Sequence, residues 1–189
     1  MRPGRLALFA LIALGALALA GCYDGNKTAE TEAPVFLSAD VPSLDPEVSM
    51  SLGADVTITT LTISSHAKSP SVTLSPQQDV ILDLWVITCT RTDGGTVASA
   101  SWQNFYTAYV PAGGSVNVTN ARVFPAEFFG QLPLVNLFPQ NGGLDTETGQ
   151  PTIRQKLRIE VFGKTVAGKK ISVAFDLNYK FAYQFASSG

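Results

Sequence analysis

Ile171-Ser172-Val173-Ala174-Phe175-Asp176-Leu177-Asn178-Tyr179-Lys180-Phe181-Ala182-Tyr183-Gln184-Phe185 places an apolar side chain at every second position. The intervening residues Ser172, Ala174, Asp176, Asn178, Lys180 and Gln184 are small or polar. Successive side chains of an extended backbone point to opposite faces, so a period of two predicts a half-buried strand and excludes an amphipathic helix. At ~3.3 Å per residue the run would reach ~50 Å, longer than a usual strand, and a bend or split near Asn178 is expected. Just upstream, Leu157, Ile159 and Val161 alternate with Lys156, Arg158 and Glu160, and Gly163 to Gly168 supply the turn of a hairpin.

The same grammar continues upstream. Val80 to Thr90 is apolar on both parities, with Leu82, Leu84 and Val86 on one and Ile81, Trp85, Ile87 and Cys89 on the other. That pattern suits a central strand, interrupted once by Asp83. Thr92-Asp93-Gly94-Gly95 is a hairpin signal, and the return strand runs from Thr96 toward Val110. Pro111-Ala112-Gly113-Gly114 marks another turn before Val116 and Val118. From Asp55, Val56 and Ile58 share one parity while Leu61 and Ile63 share the other, a slip near Thr59-Thr60 that predicts a β-bulge or a change of sheet. Ser71 to Leu74 reads as a short strand, and Pro42, Pro46 and Gly53 mark loops. Phe124 to Pro139 crowds Phe128, Phe129, Leu132, Leu134, Leu137 and Phe138 around two prolines, which predicts a helical turn at Ala126 to Phe129 and then a short strand.

Short strands separated by turns every ten residues or so define an all-β fold, a single antiparallel β-sandwich over 42–189. With Trp85 on a central strand, the pattern resembles immunoglobulin-like and fibronectin-type-III-like modules. The stretch from Glu160 to Val173, together with Thr88 to Gly95, also looks like bacterial lipoproteins to which no reaction is assigned.

The N-terminus has a different character. Arg2 and Arg5 precede the apolar run Leu6 to Ala20, which ends in Leu19-Ala20-Gly21-Cys22. A basic start and a short apolar run make an export signal, too short for the ~20 residues of a spanning helix. The four final residues resemble the lipobox of bacterial lipoproteins. The resemblance implies cleavage between Gly21 and Cys22, a signal peptide at 1–21, and a diacylglyceryl group on Cys22. It places the protein outside the cytoplasm and anchored to a membrane. Asp24 stands one place later than the position that favours inner-membrane retention in enteric bacteria, a slight lean toward the outer membrane. Residues 22–41 read as an acidic, flexible tether, although Val35-Phe36-Leu37 could already join the domain as a first strand.

Loss of Arg2 and Arg5 would change the formal charge from −2 to −4, with no basic bias toward nucleic acid. Bases cluster between Arg154 and Lys180. With Cys22 lipidated, Cys89 has no partner in the chain and is expected as a buried, inert thiol. A single His66, Met50 and Cys89 beyond the anchor cannot build a zinc or blue-copper site, so no metal and no cofactor is expected. His66 lies in Ser64-Ser65-His66-Ala67-Lys68-Ser69-Pro70, which reads as a polar loop. Asp145 and Glu147 share a Gly-rich loop with oxygens suited to calcium but without the EF-hand spacing.

No catalytic residue is assigned. The expected role is a non-enzymatic contact module of the cell envelope whose partner is another envelope protein, with Phe128, Phe129, Leu132, Leu134, Phe138, Trp102 and Tyr106 as the candidate interaction surface. A carbohydrate- or small-ligand-binding module is the alternative, discriminated by a concave patch showing Trp102 or tyrosines. A carboxylate-based hydrolase is a weaker one and requires two converging acids in a cleft.

Overall fold

A computed structural model describes residues 33–41 and 47–184. Gly21, Cys22, the signal peptide, the tether up to residue 32, the loops at Pro42 and Pro46, and Phe185 lie outside the described residues. Among the described residues eight strands follow one another: β1 (Val35–Asp40), β2 (Glu47–Ser49), β3 (Val56–Ala67), β4 (Val80–Arg91), β5 (Trp102–Val110), β6 (Ser115–Phe124), β7 (Thr152–Thr165) and β8 (Lys170–Ala182). The remaining regular structure among the described residues is five short 3₁₀ segments of three to five residues. The strands form two sheets, β1-β3-β6 and β2-β8-β7-β4-β5, which face each other as a sandwich. This order, with strands 1, 3 and 6 opposite strands 8, 7 and 4, is compatible with an immunoglobulin-like domain. All pairings are antiparallel except β2 with β8, a three-residue parallel pair at the sheet edge.

The β7–β8 hairpin follows from its alternation. Leu157 lies opposite Leu177, Ile159 opposite Phe175 and Val161 opposite Val173, all buried, while Arg158 and Asp176 share the outer face. β8 runs unbroken to Ala182 with no split at Asn178, because β7 pairs with it along its whole length. The turn is shorter than expected, since β7 continues to Thr165.

Asp83 marks a bulge rather than a charged residue on a regular strand. The β4 register shifts there against both β5 and β7, between Leu82 and Leu84. One extra residue flips the parity, so Val80 and Leu82 face the core before it and Trp85, Ile87 and Cys89 after it. Ile81, Leu84 and Val86 face outward. Gly163 sits against this bulge. A Cβ there would stand 2.1 Å from the Ile81 carbonyl oxygen and 2.8 Å from Leu82 Cα, so backbone approach demands glycine.

The slip expected near Thr59-Thr60 is present. Ile58 and Leu61 are both buried with two exposed threonines between them. β6 makes the same slip opposite, with Val118 and Ala121 buried around Asn120 at φ 53°. Because both strands slip together, the pairing stays in register from Thr57 to Ser64, with neither the expected bulge nor a change of sheet at Thr59-Thr60; the register shift of this pair lies between Val56 and Thr57. His66 belongs to the end of β3 and is not in a loop, though it is exposed as expected. Ser71 to Leu74 forms no strand; a turn closed by Val72 N–H donating to the Ser69 carbonyl (3.0 Å) stands there instead. β5 begins only at Trp102, since the preceding segment is held by side chains, with Gln155 and Ser99 exchanging hydrogen bonds of 3.0 and 2.9 Å.

The packed domain starts earlier than residue 42. β1 pairs with β3 throughout, and Ala33, Val35 and Leu37 are buried. The short alternation Val35-Phe36-Leu37 is enough to fix a strand once β3 offers an edge, so the tether can extend no further than the residues before Ala33.

Two aromatic centres organise the interior. Trp85 is fully buried, meets Tyr106 and Phe175 edge-on, and donates its indole N–H to the Tyr106 carbonyl at 3.0 Å. That bond satisfies the one polar group such a side chain brings into a core. At the other end Phe124 gathers Phe128, Phe129 and Phe181, with centroids 4.9–5.8 Å away.

Candidate interaction surface

The long connection from β6 to β7 crosses one end of the sandwich and closes it. It contains 3₁₀ turns at Ala126–Gly130 and Leu134–Leu137, the second where a strand was expected. Phe129 and Leu134 are buried in the core, and Phe128, Phe138, Trp102 and Tyr106 pack half-buried against it. Of the seven residues expected to form an interaction surface, Leu132 alone is largely exposed, at 61%. The apolar crowd at Phe124 to Phe138 is therefore a plug. A two-sheet sandwich leaves its ends open, and the side chains needed to fill an end resemble a docking patch in sequence. Trp102 is not presented as a stacking platform, because its indole N–H donates to the Val123 carbonyl (3.1 Å) and the Arg122 guanidinium lies 5.1 Å over its ring.

The exposed apolar side chains lie elsewhere. Phe105 is 79% and Tyr109 51% exposed, both on the outer face of edge strand β5. The register makes them part of a continuous patch: Phe105 is opposite Leu84, which is opposite Phe162, and Tyr109 is opposite Ile81. β5 reads Trp-Gln-Asn-Phe-Tyr-Thr-Ala-Tyr-Val, without a charge, glycine or proline. Edge strands are usually guarded by such residues because their free N–H and C=O groups can pair with another chain. β2, the opposite edge of this sheet, is only three residues long and carries Glu47. The signal for this surface was in the sequence, as the outward parity Gln103, Phe105, Thr107, Tyr109.

Beside Leu84 and Phe162 the outer face is concave, with about 490 Å³ bounded also by Asp83, Lys164, Lys170 and Ser172. Asp83 is exposed there.

Asp145 and Glu147, expected as calcium candidates, do converge, together with Asp93, but on an arginine. Arg91, whose side chain is 1% exposed, donates to Asp93 (2.7 Å) and to Asp145 (2.9 Å), and lies 3.6 Å from Glu147. A third donation reaches the Val97 carbonyl at 3.2 Å. The guanidinium thus occupies the centre where a cation would sit. Among the described residues no group of three or more His, Cys, Asp or Glu side chains is arranged to hold a metal. Burial alone would raise Asp93 and Asp145, yet hydrogen bonds from Arg91, from the Arg154 and Gly95 amides and from Thr148 outweigh it and hold both below the usual carboxylate range. Glu147 is lowered by Thr96, which donates from its hydroxyl and its amide, and by the Val97 amide. Three carboxylates kept ionised suit a clamp for the Asp93 and Asp145 loops, whereas a general acid needs a raised value.

His66 meets Ser38 at 2.8 Å and stacks on Phe36, on the open outer face of the three-stranded sheet. Among the described residues no carboxylate joins them in the manner of a triad. Cys89 is buried and unpaired among the described residues, and burial pushes its thiol to about 12.

Fold and surface together define an all-β two-sheet sandwich with an apolar outer face ending in an unguarded edge strand. Comparison with protein-family models, with curated proteins and with solved structures returned no match.

Proposed function

We propose that this chain is a lipid-anchored, extracytoplasmic module of a bacterial cell envelope, with an immunoglobulin-like sandwich that works through protein–protein contact and carries out no reaction of its own. The observation that carries the reading is Leu19-Ala20-Gly21-Cys22 at the end of the apolar run Leu6 to Ala20. The anchor is a diacylglyceryl group on Cys22, on the outer membrane in preference to the inner. The contact surface is β5 with Phe105, Tyr109, Leu84 and Phe162, in place of the Phe124 to Phe138 segment. An envelope protein offering an extended strand would add to the β5 edge through main-chain hydrogen bonds, and the aromatic row would supply specificity.

The test is expression of the full chain in a bacterial host beside its Cys22→Ser variant. The expected wild-type product begins at Cys22, carries the diacylglyceryl mass and fractionates with membranes, while the variant does not acquire the lipid. A product beginning at Met1, or a free thiol at position 22, overturns the anchor. A photo-crosslinking residue at position 105 should give a discrete adduct in the envelope and one at position 62, on the opposite outer face, should not; equal adducts at both positions overturn the contact surface.

A further inference from the structure

On the outer face of the five-stranded sheet, the register lines up side chains in rows across β5, β4, β7 and β8. One row is Phe105, Leu84, Phe162 and Ser172, and the next is Tyr109, Ile81, Lys164 and Lys170. The first is aromatic and aliphatic until it reaches β8, where the side chain shrinks to serine. The second ends in two lysines that stand directly opposite each other across the β7–β8 hairpin. The concavity of about 490 Å³ lies where these rows meet, bounded by Leu84 and Phe162 and by both lysines. Small residues make room for it, since Ser172 stands opposite Phe162 and Gly168 lies in the turn beside them. Its volume falls within the ~300–1,000 Å³ of ordinary small-molecule sites.

The charges around this hollow are not matched within the sandwich. Lys164 and Lys170 are exposed and make no ion pair among the described residues. Farther along the same outer face the bases do have acids, since Lys156 and Arg158 reach Asp176 at 3.6 and 3.4 Å. Like charges directly opposite each other destabilise a sheet, so an anion between the two lysines relieves a repulsion built into the hairpin. Asp83, exposed at the β4 bulge, borders the hollow as its one acid among the described residues. Two lysines against one aspartate leave a single positive charge. That balance favours one anionic group and disfavours a second. Apolar surface waits beside the charge, with Phe162 37% exposed.

We infer that this hollow is a binding site for a small amphipathic monocarboxylate. Its apolar body, a ring or a short alkyl chain, lies on Phe162 and Leu84 and takes their surface out of water. Its carboxylate accepts from the ammonium groups of both Lys164 and Lys170, a charge-assisted arrangement. The site needs neither the anchor at Cys22 nor a strand added at β5, so it stands or falls apart from both.

The test uses the full chain in phosphatidylcholine vesicles, with phenylbutyrate as the probe and phenylbutanamide as its uncharged counterpart. Binding is read by equilibrium dialysis against protein-free vesicles. The acid should bind about tenfold more tightly than the amide, as two exposed ion pairs on one carboxylate allow. Lys164→Gln/Lys170→Gln should bring the acid down to the level of the amide, and Phe162→Ser should weaken both. These side chains are exposed, and an unchanged melting curve by circular dichroism checks that the core is intact. In the wild type, lysine acetylation read by peptide mass spectrometry locates the site: phenylbutyrate should slow Lys164 and Lys170 several-fold and leave Lys156 unchanged. Equal binding of acid and amide, no saturable binding of either, or an equal slowing of Lys156 would overturn the site.

Discussion

Replacing Arg91 by methionine isolates what the buried charge cluster contributes. The substitution keeps an unbranched four-atom stem and removes the guanidinium. Asp145, whose side chain is 0% exposed, would lose its 2.9 Å partner and retain only Thr148, while its Oδ1 already has no hydrogen-bond partner. Asp93 would lose its 2.7 Å bond. Removing one member of a buried pair typically costs about 3–5 kcal/mol because the other charge is left uncompensated. For a domain of this size that corresponds to a fall in Tm of about 6–20 °C at neutral pH, read by circular dichroism. Acidity should shrink the difference. Asp93, Asp145 and Glu147 are all held below their usual values in the folded wild type. Their stabilisation is therefore complete above the unfolded carboxylate range of about 4 and is lost as pH falls through the lower folded values. In the variant, Asp145 is buried without its counter-charge, binds a proton more readily, and weakens the fold as pH rises. The gap between the two proteins should be widest near neutrality and shrink as pH falls below the unfolded carboxylate range toward the lowered folded values. Adding Asp145→Asn to the variant should restore part of the loss. A loss under about 1 kcal/mol, or a gap independent of pH, would refute the assignment of Arg91 as the clamp of both loops.

Gly163→Ala should lower the unfolding free energy, read by chemical denaturation, by more than the ~1–3 kcal/mol of ordinary overpacking, because its Cβ meets the Ile81 and Leu82 backbone at the bulge rather than a movable side chain; an unchanged free energy would show that the β4–β7 ladder relaxes freely there. Cys89, with its thiol pushed up to about 12 by burial, should resist maleimide in the folded protein and react only on unfolding, as read from the mass of its peptide; stoichiometric labelling of the native state would show that this strand opens.

Where a pattern depends on strand periodicity alone, the sequence reads well. The β7–β8 hairpin, the burial of Cys89 and even the parity slip at Thr59-Thr60 follow from alternation. The misreadings share one origin, which is that alternation says which residues face alike and not what lies against them. Asp83 looked like a charge in a two-sided apolar strand because the extra residue is visible only against β5 and β7. Phe129 and Leu134 looked like a surface because an irregular segment gives no period from which to infer its buried side. The Arg91 clamp draws on Asp93 and on Asp145 and Glu147, more than fifty positions away, and no local spacing announces such a meeting. The parallel β2 pair is likewise invisible from three residues.

That short parallel pair has a consequence for how the chain comes to be folded. Glu47 and Lys180 are 133 positions apart, so the first residues of this sheet must await almost the last. During synthesis the early strands have no completed sheet to dock on, and the cost of closing so long a loop falls due at the end. A polypeptide built this way leaves the ribosome with its five-stranded sheet unclosed, and the β2 edge sets last.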